Sequence, residues 1–456
     1  MADLSKQPTT GFVNNGSLVQ YGNDNTAGDW DYIVISKPNR PWRVSIRGDI
    51  PTSKDGVDMS VSIFEGTIPL FSSTGTWNLQ GQTSLNSAKK NFKIKFKNAE
   101  TGKKLKVKIG DWAPMNGLVL KGYGTDRTLL RDIVTTEIWR NFHRDEAGLL
   151  APASAYSYYD RDNLGMRTSV LFSTDGFPCE LYHDGEFQGM YIIRSDNDND
   201  QYLIDSSNPG HFLAQPDHAS TFWTDGNYNP QEWEIYSPDP NTDDSVSFLK
   251  RFLRWSSDCI AGRVSMRETY REYIDLECFI DYILLCEVCF SPDSLVNNFM
   301  LCSWNATPAS GVAYIYPYDE DQTFGIVDQY LSADDSDPFR IGWITKRDRM
   351  IDGQDPVFFE TIHNCFTPEI RARWRYLRDT GKISHETFSK IIKDKSDLIN
   401  PDMIKKDLDL WIMNAEVGLG NGKVISDDGK KWSVNFILNF AKRRIQWLDQ
   451  QFRYYG

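Results

Sequence analysis

Several features that would fix a protein's class at a glance are missing from this sequence. No apolar run approaches the roughly 18–20 residues that a bilayer-spanning helix needs, and the longest candidate, 279–290, is broken by Asp281 and Glu287. The opening residues MADLSKQPTT hold no apolar core of the kind a signal peptide carries, so a cytoplasmic protein is expected. Excess positive charge is absent too: 50 Lys and Arg stand against 63 Asp and Glu, a net charge of −13. Such a chain lacks the basic face needed for non-specific binding to nucleic acid or an anionic membrane, and neither partner is expected. The six histidines (143, 183, 211, 218, 363 and 385) never fall at metal-ligand spacing. Seven cysteines form no regular framework, and four of them (Cys278, Cys286, Cys289 and Cys302) crowd one apolar stretch. They read as buried thiols in a reducing compartment. Cys286 and Cys289 form a C-x-x-C pair, but no second pair or nearby His supports a zinc or redox role. A metal, if used, must be held by oxygen, which selects a hard cation such as magnesium.

What is present is enough for a folded core. Hydrophobic residues make up 40% and aromatics 13%, too much for a disordered chain. The 456 residues allow two to four domains, or one two-lobed enzyme with insertions. Residues 1–40, rich in Asn, Gly, Thr and Asp, read as an extended leader. Over 41–195 the pattern is that of strands with one helix. WRVSIRG, MSVSIFEG and FKIKFKN alternate apolar and polar residues, with Phe92, Ile94 and Phe96 expected on a core. The segment 126–142 switches to helical spacing, with Thr or Asp able to cap its start. Further on, HDGE at 183–186 reads as a hairpin turn between two alternating runs. Residues 196–247, with DNDND and SPDPNTDD, read as a polar surface insertion. Its acids could take calcium, but they lack the loop spacing and closing Glu of a calcium loop. From 248 to 456 the three- and four-residue steps of helices dominate, around a short β interlude at FMLCSW and GVAYIYPYD. The order predicts an α+β protein in two lobes, β-rich first and helical second.

Two segments of the helical half could carry chemistry. In FSPDSLVNNFMLCSW, Asp293 and Asn298 are five residues apart, the Asp-x-x-x-x-Asn spacing of a phosphotransferase catalytic loop. There the carboxylate takes a proton from the acceptor hydroxyl, and the amide oxygen helps to hold magnesium. Taken alone, an Asp and an Asn in a loop are more often turn chemistry. In YIYPYDEDQTFG a strand runs into Asp319, Glu320 and Asp321. Alternate carboxylates at a strand end point the same way, so Asp319 and Asp321 could share one hard cation while Glu320 faces the other side. On this reading Glu320 adds little to the core; the bland alternative is an acidic turn. A loop with a base and an amide, then a strand, then a carboxylate pair before glycine is the order that magnesium-dependent phosphoryl transfer requires.

These segments, with four others in the same order, resemble the CotH family of atypical protein kinases. GQTSLNSAKKNFKIKF is similar to that family's Gly-x-Ser/Thr-Ser segment leading into Lys-Lys-x-aromatic-Lys-Ile-Lys-Phe. DRTLLRD resembles its helix start, CELYHDGEFQGMYII its hairpin, and YPYDEDQTFG its Trp-Asp-x-Asp-x-Ser/Thr-Phe-Gly. FIDYILLCEVCFSPDSLVNNFML matches the helix and catalytic loop, and RRIQWLDQQF the terminal helix. The resemblance implies a reduced protein-kinase-like fold that binds ATP with Mg2+ or Mn2+ and phosphorylates Ser or Thr hydroxyls of a protein. It casts Asp293 as base, Asn298, Asp319 and Asp321 as metal ligands, and Lys90 with Arg127 and Arg131 as phosphate-neutralising cations. The bland readings are a solvated Lys90, and arginines paired with Asp126 and Asp132. Three positions depart from the family pattern: Tyr318 replaces a Trp, Asp132 an Asn, and Arg194-Ser195 stands where an acid is usual. No G-x-G-x-x-G occurs in the β half, and GLGNGK at 418–423 reads as a loop. The alternative function is a structural or interaction protein on the same fold, a coat, surface or phage-particle component that binds an assembly partner within a larger particle.

Overall fold

Period-two alternation in the first half becomes sheet. The computed structural model describes residues 10–144, 173–326, 342–346, 356–411 and 433–456, apart from 15–16, 25–29, 82, 99–101, 111, 113, 125, 198, 203, 218–220 and 239–242. Strands β1 (Thr10–Asn14), β2 (Ser17–Asp24) and β3 (Trp30–Ile35) form a four-stranded sheet with β8 (Lys106–Ile109). Seven more are β4 (Trp42–Arg47), β5 (Val57–Glu65), β6 (Ile68–Gln80), β7 (Asn91–Lys97), β9 (Gly117–Lys121), β10 (Gly176–His183) and β11 (Glu186–Ser195). They close into a barrel in the order β10-β11-β9-β7-β6-β5-β4, and the parallel pairing of β10 with β4 makes the closure. Its interior is filled by the alternating apolar set, including Trp42, Val44, Ile46, Val61, Ile63, Trp77, Phe92, Ile94 and Phe96. A closed seven-stranded barrel is not the shape of a standard kinase lobe, so the β half departs from the kinase-like expectation in form.

Turn chemistry acts where the sequence places it. Asp184 (φ 50°) and Gly185 (φ 89°) make a two-residue connection between β10 and β11, with His183 paired to Glu186. The helix expected over 126–142 starts later, as α1 (Arg131–His143). Asp126, fully buried, accepts from the backbone and hydroxyl of Thr128 and from the backbone N–H of Arg131, and Leu129 adopts φ 62°. Those bonds hold 126–130 as a capping turn rather than as a first helical turn.

The helices that follow are α2 (Phe222–Asp225), α3 (Asp243–Ile260), α4 (Met266–Thr269), α5 (Leu276–Cys289), α6 (Val357–Cys365), α7 (Thr367–Asp379), α8 (His385–Ser396), α9 (Pro401–Leu410) and α10 (Val434–Phe452). A second antiparallel sheet has the order β13-β12-β14-β15, from β12 (Phe212–Pro216), β13 (Trp233–Ser237), β14 (Phe299–Ser303) and β15 (Tyr314–Pro317). Two of its strands come from the polar stretch 196–247. The protein is thus α+β, β-rich first and helical second. It divides into two compact units: 1–133 with 160–196 and 393–422, and 134–159 with 197–392 and 423–456. Helix α9 therefore belongs to the unit that contains the barrel, despite its late place in the chain. No helix among the described residues is long and apolar enough to cross a membrane.

Helix α5 is the spine of the second unit. Asp275 caps it by accepting from the N–H of Cys278 at 2.9 Å, and every residue from Cys278 to Cys289 is buried. The two carboxylates that break its apolar run are matched. Arg373 grips Asp281 with two bonds of 2.7 and 2.9 Å, and Arg444 of α10 meets Glu287 at 2.5 Å. Buried charges persist because each has a cation and hydrogen bonds to hand.

Candidate functional site

The end of α5 sets up the acidic loop. Phe290 takes a left-handed conformation (φ 53°), and after Ser291-Pro292 a single 3-10 turn covers Asp293–Leu295. The carbonyl of Asp293 accepts from Asn297 N at 2.9 Å, and Tyr282 donates its hydroxyl to the carbonyl of Ser294 at 2.6 Å. These contacts fix the course of the loop. Asp293 is 8% exposed. Asn298 Nδ2 donates to Asp293 Oδ2 at 2.8 Å and to the backbone carbonyl of Asp319 at 3.0 Å. One amide thus ties the candidate base to the acidic turn 21 residues further on. With its nitrogen so used, the amide presents Oδ1 as its oxygen donor.

The acidic turn does not obey strand alternation, because β15 stops at Pro317. Asp319 has φ 56°, and Asp319 and Asp321 are both half-buried. Glu320 is 1% exposed and turned inward. Its carboxylate accepts from Ser294 Oγ at 2.8 Å and from Ser291 Oγ, so it binds the underside of the Asp293 loop. The expectation that Glu320 adds little to the core is therefore corrected: it is a buried brace. Phe324 closes the segment by donating its N–H to the carbonyl of Cys289 at 2.7 Å. At Gly325 (φ 71°) a Cβ would lie 2.4 Å from the Phe440 ring, so only glycine fits. Among the described residues, no group of three or more His, Cys, Asp or Glu side chains is gathered to hold a metal.

The expected cations lie in the other unit. Lys90 donates to the carbonyl of Leu85 at 2.6 Å. Arg131 is fully buried, with Nη1 2.7 Å from Asp126 Oδ1. Arg127 is half-buried and lines a pocket with Lys89, Gly122, Tyr123, Gly124, Leu129, Asp407, Leu408 and Trp411. Lys89, which sequence reasoning passed over, is 3% exposed and donates to Asp407 Oδ1 at 2.7 Å and to the carbonyl of Met190 at 2.6 Å. Burial pulls its pKa down, while Asp407 opposes that shift. Arg127, also partly desolvated, is shifted the same way. Alternation along β7 could not single out Lys89, because the strand begins only at Asn91. Asp407 carries no local signal at all; it is one acid of a polar helix.

Two of the departures from the family pattern face each other. Arg194 and Asp132 are fully buried, and Arg194 Nη1 donates to Asp132 Oδ2. The Tyr123 hydroxyl donates to the same oxygen. A carboxylate where the family has a neutral amide is matched here by a guanidinium. The Gly-rich run at 418–423 lies wholly outside the described residues.

No curated protein sequence matches the chain. The family described as CotH kinase protein matches over residues 78–448. That span takes in the lysine pair before β7, the start of α1, the β10–β11 hairpin, the Asp293–Asn298 loop and the acidic turn, and the chain belongs to the CotH kinase protein family.

Proposed function

We propose that this protein transfers the γ-phosphoryl group of ATP to a Ser or Thr hydroxyl of a protein, with Mg2+ or Mn2+ as the metal. The observation that carries the reading is the Asn298 amide, bonded at once to the Asp293 carboxylate and to the Asp319 carbonyl. It joins the two segments that the chemistry needs together and fixes the orientation of the base. Asp293 accepts the proton of the attacking hydroxyl as the new O–P bond forms and the bond to the β-phosphate oxygen breaks, releasing ADP.

The donor set fits a hard cation. Asn298 Oδ1 with the carboxylates of Asp319 and Asp321 would hold it, and all are oxygen. Magnesium commonly takes only one or two carboxylates from protein and completes its shell with water and phosphate oxygens, so a ready-made cage of three acids is not required. When bound, the metal neutralises charge on the nucleotide phosphates. Lys90, Arg127 and Arg131 are the cations that the family resemblance assigns to those phosphates; of them Arg127 lines a pocket, Lys90 is bonded to the carbonyl of Leu85, and Arg131, paired with Asp126, sets the turn that presents Arg127.

The test is incubation of the full chain with γ-labelled ATP and magnesium or manganese. Wild type labels itself or an added protein, and Asp293→Asn lowers labelling by about 10²–10⁴-fold, the usual worth of a general base. Equal labelling by the variant excludes Asp293 as base. No labelling and no nucleotide binding by wild type, with the chain locked in a large assembly, favours the structural role instead.

A further inference from the structure

The acidic turn has no strand to hold it, since β15 stops at Pro317, and Asp319 takes a left-handed conformation (φ 56°) that needs local support in a residue with a side chain. The peptide units linking Asp319, Glu320 and Asp321 are each held by a side-chain donor. Asn298 Nδ2 donates to the carbonyl of Asp319 at 3.0 Å, and Thr323 Oγ1 donates to that of Glu320 at 3.1 Å. Because peptide units are planar, their orientation sets where the Asp319 and Asp321 side chains stand relative to each other. Thr323 has a single hydroxyl proton, and it goes to Glu320. In its 3.1 Å contact with Thr135 Oγ1 it therefore accepts, and Thr135 is the donor. Both threonines are fully buried. Thr135 is brought there by the packing of α1. Trp139, one helical turn on and on the same face, meets Tyr282 of α5 with ring centroids 6.4 Å apart and Tyr316 of β15 at 5.9 Å. Helix α1 thus packs on the helix that leads into the Asp293 loop and on the strand that leads into the acidic turn. All of these residues belong to the second unit.

We propose that Thr135 is a positioning residue for the acidic turn: by donating to Thr323 it sets the hydroxyl that holds the Glu320 carbonyl, and so places Asp321 beside Asp319 for one hard cation. The proposal rests on the reading of those two carboxylates as oxygen ligands of Mg2+ or Mn2+. Thr135 acts through Thr323 and not on the metal or the substrate. The turn is clamped from two sides, by the Asp293 loop through Asn298 and by α1 through Thr135 and Thr323. Linked hydrogen bonds polarise one another, so donation into the Thr323 oxygen strengthens the bond that Thr323 makes to Glu320. Thr135→Val keeps the shape of the side chain and removes that donor, which weakens the hold on the carbonyl.

The test titrates Mn2+ into the full chain and reads the free ion by electron paramagnetic resonance, alongside phosphoryl labelling and the melting temperature of each metal-free variant. Thr135→Val weakens Mn2+ by about three- to ten-fold, at or below the low end of what the loss of an outer-shell partner costs a metal site. Thr135→Ser, which keeps the donor, stays within about two-fold of wild type. Thr323→Val removes the bond to Glu320 itself, loses at least as much, and serves if Thr135→Val does not fold. A purely structural Thr135 would lower the melting temperature and leave the Mn2+ affinity unchanged; that result overturns the proposal, while labelling by wild type leaves the phosphotransferase reading standing. A Thr135→Ser protein as weak as Thr135→Val overturns it too, as does Mn2+ binding that Asp319→Ala leaves untouched. Wild type that binds Mn2+ but labels nothing, with the loss in Thr135→Val intact, keeps the positioning role and sinks the phosphotransferase reading. Wild type that neither binds Mn2+ nor labels sinks both.

Discussion

Removing the Glu320 side chain should unsettle the Asp293 loop more than removing Asp319, its neighbour in the acidic turn. Glu320 accepts from two buried hydroxyls, Ser291 and Ser294, which are 2% and 1% exposed. Leaving a buried polar group unsatisfied costs about 1–3 kcal/mol. The two hydroxyls keep a 2.7 Å bond to each other, so one of them retains an acceptor and the loss falls short of two full penalties. Glu320→Ala should therefore destabilise by about 2–4 kcal/mol, and Glu320→Gln, which keeps the volume and an acceptor oxygen, by about 1 kcal/mol. At about 2–4 °C per kcal/mol for a unit of this size, the alanine variant melts roughly 4–16 °C lower. Asp319→Ala, which removes a half-buried carboxylate, should stay within about 1 kcal/mol of wild type. The assay is urea unfolding followed by tryptophan fluorescence, with thermal melts alongside. If Glu320→Ala unfolds within about 0.5 kcal/mol of wild type, or Asp319→Ala proves the less stable of the two, the brace argument is wrong.

Gly189→Ala should loosen α9 as well as strain the backbone, since φ is 130° and the new Cβ would lie 2.5 Å from Asp407 Oδ1; a loss of about 2 kcal/mol or more is expected in urea unfolding. Arg444→Met leaves Glu287 buried without its cation and should cost about 3–5 kcal/mol, read by the same assay. Asp275, the cap of α5, has its carboxyl raised by burial to about 6. A raised folded-state pKa makes its contribution to stability complete below the unfolded value, near 4, and lost as pH rises through 6. Asp275→Asn, which still caps, should therefore gain on wild type between pH 4 and 7, by about 3 kcal/mol at pH 7; a pH-independent difference in unfolding free energy refutes this.

Local pattern carried the sequence a long way. Period-two runs are bound to local geometry, because side chains on a strand alternate whatever the strand pairs with. Trp42, Val44 and Ile46, then Phe92, Ile94 and Phe96, were legible as core for that reason, and they fill the barrel. Asp-Gly at 184–185 made its hairpin because both positions take positive φ. The Asp293–Asn298 spacing was legible too, since both residues sit in one short loop. What local pattern leaves open is long-range pairing. Strand alternation says that a face is buried, not that β10 will pair with β4 and close a barrel. It failed at the acidic turn, where β15 ends at Pro317 and the inward direction of Glu320 follows from the serines beneath it. It failed again at the lysine pair. Lys89 and Lys90 are equals in sequence, and only the arrival of Asp407, 318 residues along the chain, separates a buried, held ammonium from one bonded to its own turn. Local rules select which residues can face inward; which charge meets which, at such separations, is decided by the packing of the finished fold.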